Sequence, residues 1–166
     1  MRTRWLPFEL HADTPPEGAD KPFTDAEWPA VRERLVGLAS SAGLPIDPPR
    51  RNANSRLALE TMELVRARKG DDAAAKFHHA VSRAFFVDHA NIADPAVIAA
   101  KAAEVGVAPD EVEAARKEHA FAPAVDASIA ASRRAGVRGV PAYGWPGARA
   151  VSGMMEPEHI VEVLGS

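Results

Sequence analysis

The 166-residue chain contains no cysteine. This absence excludes disulfide bonds, thiolate metal sites and thiol nucleophiles within the chain, because each of them requires a cysteine sulfur. Histidine offers no replacement metal motif, since His78 and His79 are adjacent and on a helix would point about 100° apart. We therefore expect no catalytic residue, no metal site and no cofactor in this chain.

An excess of one charge and long apolar runs are also lacking. The 20 lysines and arginines are nearly balanced by 23 aspartates and glutamates, whereas nucleic-acid binding relies on clustered positive charge. No stretch reaches the roughly 20 apolar residues of a membrane-spanning helix. The first residues also lack the apolar core of a secretory signal. We expect a cytoplasmic protein that binds neither nucleic acid nor membranes.

The periodicity of apolar residues predicts a strand followed by a long helical region. Alternation over residues 4–10 indicates a short strand, with Pro7 typical of an edge position. Thr24 and Glu27 stand at capping-box spacing, which predicts a helix start, and Phe23 and Trp28 flank them at hydrophobic-staple spacing. Further helices are predicted at about residues 55–68, from 71 onward, 94–106, 108–119 and 123–135.

After Gly136 the pattern changes to that of a hairpin. Residues 137–145 and 149–152 read as extended segments joined by a turn at Pro146 and Gly147. Pro157 then opens a last amphipathic helix. The predicted order is strand, five or six helices, hairpin and helix, and the length fits a single domain over residues 1–166.

Short segments in the same order resemble FrnE-type members of the DsbA-like thioredoxin-fold oxidoreductases. They are WLPFEL at 5–10, NSRLA at 54–58, AFF at 84–86, NIAD at 91–94, GVRGVP at 136–141 and VSG at 151–153. The resemblance implies an α/β fold class: a truncated thioredoxin-like fold of DsbA type, mostly helical, with a small mixed sheet. The helical insertion would span about residues 24–121. Kappa-class glutathione transferases and 2-hydroxychromene-2-carboxylate isomerases share this architecture.

One segment of the resembled family has no counterpart here. Its members begin with a strand and a Cys-x-x-Cys dithiol, whereas Met1 stands where their second strand begins. A natural truncation and a late start codon both remain open. Because the absent strand is central in that fold, and buried unpaired backbone groups cost about 1–3 kcal/mol each, the gap should be filled. Either residues 4–10 move into the central position, or two chains associate as a homodimer.

The resemblance also implies a binding site at the start of the hairpin. In the family the proline matching Pro141 is cis, and the backbone of the preceding residue pairs with an extended substrate. We expect substrate-binding residues at Gly139, Val140, Pro141 and Trp145; alternatively, Pro141 only shapes the hairpin. The functional expectation is a thiol–disulfide oxidoreductase relative that is redox-inactive without cysteine. The alternatives are a module that binds a peptide or glutathione, and a glutathione-dependent isomerase or transferase.

Overall fold

A computed structural model describes residues 3–145 and 149–165, apart from the side chains of Pro157 and of residues 163–165. The helices are α1 Trp28–Ser41, α2 Arg56–Lys69, α3 Asp71–Phe86, α4 Pro95–Ala103, α5 Pro109–Lys117, α6 Ala122–Arg134 and α7 Pro157–Gly165. The strands are β1 Ala19–Asp20, β2 Arg51–Asn52, β3 Ala142–Tyr143 and β4 Val151–Ser152. No helix in this described part is long and apolar enough to cross a membrane.

The helix boundaries follow the signals in the sequence. The Asp94 side chain accepts a hydrogen bond from the Ala96 amide at 2.8 Å and so caps α4. The capping box before α1 also forms, since the Thr24 amide donates to Glu27 Oε2 at 2.8 Å and the Glu27 amide donates to Thr24 Oγ1 at 3.3 Å. Gly70, at φ +86°, ends α2 in the left-handed region and lets α3 begin at once.

The hydrophobic core lies among helices α2 to α6, which we call the helical block. The side chains of Leu64, Val65, Phe77, Ile98 and Val125 are at most 1% exposed. Burying each large apolar side chain contributes about 1.5–3 kcal/mol to stability. Because α2 contacts each of the other four helices, it lies at the centre of this block.

Helix α1 and the β3–β4 hairpin lie outside that core. Helix α1 has no buried residue, although Leu35 and Leu38 recur at helical spacing. It is held in its amino-terminal half, where Phe23 packs on Trp28 with 6.1 Å between ring centroids and Arg32 pairs with Asp47 at 2.7 Å. Among described residues after Ile129, none is buried. The hairpin is therefore exposed on several sides.

The sheet differs from the one expected. Among the described residues no mixed sheet forms; the four strands make two separate antiparallel pairs, β1 with β2 and β3 with β4. The short ladder of β1 and β2, with Ala19 opposite Asn52, falls between the elements that the sequence pattern predicts. The pairs stay separate because no described strand lies between them.

Residues 4–10 form no strand, so the expected strand there is wrong, as is its expected move into a central position. Their backbone acceptors are used by helix side chains instead. Arg66 donates to the Trp5 carbonyl, and Ser128 Oγ donates to the Pro7 carbonyl at 3.1 Å. Pro7 is buried and has no amide hydrogen to offer a ladder. Side chains of α2 and α6 thus replace a neighbouring strand.

Candidate functional site at the hairpin edge

The hairpin is held at the carboxyl end of α6. Gly136, at φ +91°, reverses the chain after the helix. The Val137 amide then donates to the Ser132 carbonyl at 3.0 Å, and the Ala150 amide donates to the Ala135 carbonyl at 3.3 Å. Both sides of the hairpin are therefore fixed to the same helix end.

One edge of β3 is open. The Gly153 amide donates to the Pro141 carbonyl at 2.9 Å, and Ala142 lies opposite Ser152. Because alternate residues of an antiparallel strand face its partner, the backbone groups of Val140 and Ala142 face away from β4. No second strand pairs with β3 in the described structure. We call the outward N–H and C=O groups of Val140 and Ala142 the open edge.

The four predicted binding residues lie in or next to this segment. Gly139 is half-buried, Pro141 is exposed, and the Val140 side chain is 55% exposed. The Val140–Pro141 peptide bond is cis. Trp145 is half-buried and follows β3 by two residues. The predicted turn at Pro146 and Gly147 lies outside the described residues.

A separate feature of the surface is an apolar cleft between α2 and α3. It encloses about 130 Å³ and is lined by Ser55, Ala58, Leu59, Met62, Phe77, His78, Val81, Ser82, Phe85, Phe86 and Ile92. The Trp5 ring stacks on the His78 ring at 4.2 Å between centroids. Burial, aided by the neighbouring His79, lowers the pKa of His78 below its ordinary value of 6.5. His78 is therefore neutral at physiological pH.

No metal cluster adjoins the cleft or the hairpin in the described ranges, where no three His, Asp or Glu side chains converge on one point.

Trp5 and His78 stack on each other and so pack the segment of residues 4–10 onto α3. Sequence periodicity gives no sign of this contact, because the two residues are far apart in the chain. The stack shows how residues 4–10 are held without a ladder.

Arg56 fixes the same segment to the helical block. Its guanidinium donates to Glu60 at 2.6 Å, to Asp126 at 2.7 Å and to Glu9 at 3.1 Å. Hydrogen bonding to Asp126, and then to Glu60 and Glu9, raises the pKa of Arg56, and the same contact lowers the pKa of Asp126. A single side chain on α2 thus joins the amino-terminal segment to α6.

Two features near the hairpin were not predicted from the sequence. Ala142 belongs to the open edge, which only the strand register reveals. Arg138 and Arg149 are exposed and form no ion pair with another described residue. A signal for the second feature was present, because residues 127–155 contain no aspartate or glutamate.

Comparison with known proteins agrees with this architecture. The family model described as "DSBA-like thioredoxin domain" matches residues 1–165. No curated protein matches the sequence. A similar solved structure is the crystal structure of a "putative protein disulfide isomerase" from Nitrosomonas europaea, with a TM-score of 0.71 and 15% identity. The match covers 89% of this chain and 76% of that chain, and at this identity it shows the fold alone.

The fold that the resemblance implied is therefore confirmed in its DsbA-like class, with the sheet reduced to two small antiparallel pairs. The family is one of thiol–disulfide oxidoreductases. This chain has no cysteine, so it lacks the residue type on which that chemistry depends. On the match to nearly its whole length, the chain belongs to the DSBA-like thioredoxin domain family.

Proposed function

We propose that this cysteine-free chain binds an extended peptide, or a small thiol peptide such as glutathione, along the open edge and does not catalyse thiol–disulfide exchange. The open edge itself carries the proposal. The backbone groups of Val140 make no hydrogen bond with any other described residue, and its side chain is 55% exposed. An extended peptide can add to such an edge as a further strand.

The redox part of the proposal follows from composition. Disulfide exchange proceeds through attack of a thiolate on a disulfide sulfur, and this chain has no cysteine to supply the thiolate. We expect the purified 166-residue chain to leave the rate of insulin reduction by dithiothreitol unchanged. A concentration-dependent acceleration would show that the chain catalyses exchange by another route and would contradict this part.

Binding at the open edge is tested by fluorescence anisotropy with a labelled, capped heptapeptide of alternating valine and threonine. Unlabelled reduced glutathione serves as a competitor. Ala142→Pro removes an outward amide hydrogen from the open edge while the inward ladder of β3 stays intact. Loss of one hydrogen bond weakens binding by about fivefold.

Ser152→Pro is the matched control. Ser152 lies opposite Ala142, so its backbone also faces outward, but from the far edge of β4. The proposal requires that Ala142→Pro weaken peptide binding and that Ser152→Pro leave it unchanged. Equal effects, or a larger effect of Ser152→Pro, would exclude the open edge of β3 as the binding site. Circular dichroism checks that both variants keep the helical content of the parent.

A glutathione-dependent isomerase or transferase is the second candidate. It would use the thiol of bound glutathione and needs no protein cysteine. The apolar cleft between α2 and α3 favours it, since such a cleft suits an apolar substrate. The candidate stays second because no described contact joins α2 or α3 to β3 or β4.

A second copy of the chain competes with a peptide for the same edge. Because unpaired strand edges readily pair with another chain, we predict a homodimer that forms through this edge. The cytoplasmic location and the FrnE-type subfamily also stay predictions. Sedimentation velocity should show a dimer that Ala142→Pro shifts toward monomer. A parent protein that is monomeric at all accessible concentrations would exclude the homodimer while leaving peptide binding open.

A further inference from the structure

The arginines around the hairpin bear on which peptide the open edge prefers. We infer that it selects extended peptides with acidic side chains, and that Arg138 and Arg149 provide this selectivity. The inference rests on the proposed edge binding and adds the chemical class of the ligand. It arises from the distribution of charge in the chain and not from the strand register.

Positive charge near the hairpin is not neutralised by the chain itself. Residues 127–155 contain the four arginines Arg133, Arg134, Arg138 and Arg149 and no aspartate or glutamate. All four are exposed, and none forms an ion pair with another described residue. The whole chain nevertheless carries a net charge of -3. The positive region is therefore local, within a protein of opposite overall sign.

Several arginines elsewhere in the structure are paired with carboxylates. Arg32 pairs with Asp47 at 2.7 Å, and Arg66 pairs with Asp71 at 2.7 Å. Arg116 contacts Glu113 through two hydrogen bonds, at 2.7 and 2.8 Å. These charges are matched by carboxylates of the same chain, whereas those around the hairpin are available to an external carboxylate.

Two of the four arginines lie near the segment that leads into the open edge. Arg138 precedes Val140 by two residues, so their Cα atoms lie at most about 7 Å apart. Arg149 Nη2 lies 3.7 Å from the position that a Cβ on Gly136 would occupy, which places this guanidinium at the turn leading into β3. Arg133 and Arg134 lie in the last turn of α6, where the helix dipole already favours a cation. Arg138 lies beyond the helix and has no such compensation, whereas the Arg149 guanidinium reaches the same helix end from the segment before β4.

The chemistry of the guanidinium group indicates carboxylates as partners. Arginine presents paired N–H donors that match the two oxygens of a carboxylate. An added strand would carry its side chains past Arg138 as its backbone pairs with Val140 and Ala142. Each exposed ion pair of this kind strengthens binding by roughly two- to fivefold at low salt. Two such pairs give a preference of about tenfold for an acidic peptide over a neutral one.

The test uses the full chain and three capped heptapeptides in which valine alternates with glutamate, threonine or lysine. At about 50 mM salt we expect the glutamate peptide to bind about tenfold more tightly than the threonine peptide, and the lysine peptide more weakly. Raising the salt to about 500 mM should remove most of this difference because exposed charges are screened. The threonine peptide reports on edge binding alone.

Paired arginine variants locate the effect. Arg138→Gln with Arg149→Gln should reduce binding of the glutamate peptide to the level of the threonine peptide and leave the latter unchanged. The control is Arg34→Gln with Arg83→Gln, which removes two exposed arginines that have no described ion-pair partner, on α1 and α3. Both double variants change the net charge equally, so the control removes the contribution of overall charge.

Each outcome decides the question. Tight binding of the threonine peptide with no gain for the glutamate peptide would overturn the inference and leave the proposed function standing. Absence of binding by all three peptides would overturn both. An equal loss in the control variant would assign the preference to net charge and overturn the role of Arg138 and Arg149. Tighter binding of a single-stranded hexanucleotide than of the glutamate peptide would overturn the inference in favour of nucleic acid.

Discussion

The helical block and the hairpin differ in how much of their apolar surface is buried. In the block, Leu64, Phe77 and Ile98 are at most 1% exposed and belong to one continuous core. In the hairpin, Val140 is 55% exposed and Val151 is 37% exposed, and the two strands contact each other but no other described element. The block is stabilised by its own burial, whereas the hairpin keeps apolar and backbone groups available.

Burial in the block stabilises the fold, whereas the hairpin is the region that we propose binds a partner. A loop or edge that carries unpaired backbone groups contributes little burial but can pair with a partner. The hairpin stays in place because hydrogen bonds at Ala135 and Ser132 fix it to the end of α6, which belongs to the block. Substitutions in the two regions should therefore have opposite consequences for unfolding and for binding.

The largest expected effect is on the core of the block. Phe77→Ala should lower the free energy of unfolding by about 3–5 kcal/mol, because it removes a fully buried ring and leaves a cavity. Val140→Ala in the hairpin should change it by less than about 0.5 kcal/mol. Urea denaturation of both variants measures the contrast. Comparable losses would show that the hairpin contributes to the core as much as the block does.

A smaller effect is expected at the junction between the amino-terminal segment and the block. The side chains of Glu9 and Glu60 are only 12% and 10% exposed, so Arg56→Met would leave two largely buried carboxylates without their cation. We expect a loss of about 2–3 kcal/mol in the free energy of unfolding.

Arg116→Met is the control for Arg56. It removes an ion pair of similar geometry to Glu113, whose side chain is 40% exposed. Exposed pairs contribute little to stability because solvent screens them, so this variant should unfold near the parent midpoint. If both variants lost the same stability, burial would not be the cause. Loss of the Trp5–His78 stack in Arg56→Met, seen in tryptophan fluorescence, would confirm that the segment is released.

The smallest effect is the pH dependence arising from His78. Its pKa in the folded protein lies below the ordinary value of 6.5, so the unfolded chain binds the proton more readily. The stability that depends on a neutral His78 is fully present above pH 6.5 and is lost as the pH falls through the pKa of His78 in the folded protein. His78→Gln should flatten this part of the stability profile. An unaltered slope in His78→Gln would contradict the assignment to His78.

Local signals in the sequence were sufficient for most helices. Asp94 before Pro95 and the pair Thr24 and Glu27 specify helix starts through side-chain hydrogen bonds that involve only neighbouring residues. Residues 4–10 show where this kind of inference fails. Their alternation predicted a strand, but a strand needs a partner, and here Arg66 and Ser128 take the carbonyls instead.

Residue types and spacings within a few residues were enough to predict most of the helices and the hairpin after Gly136, and they show that the chain has no cysteine. The DsbA-like fold class was inferred from the resemblance of short segments to a known family. Three features emerge only when the chain folds: the open edge of β3 at Val140 and Ala142, the stack of Trp5 on His78, and the lack of an ion-pair partner for Arg138 and Arg149 among the described residues. These features depend on which distant groups meet, because a hydrogen bond or ion pair forms only when folding brings both of its members into contact.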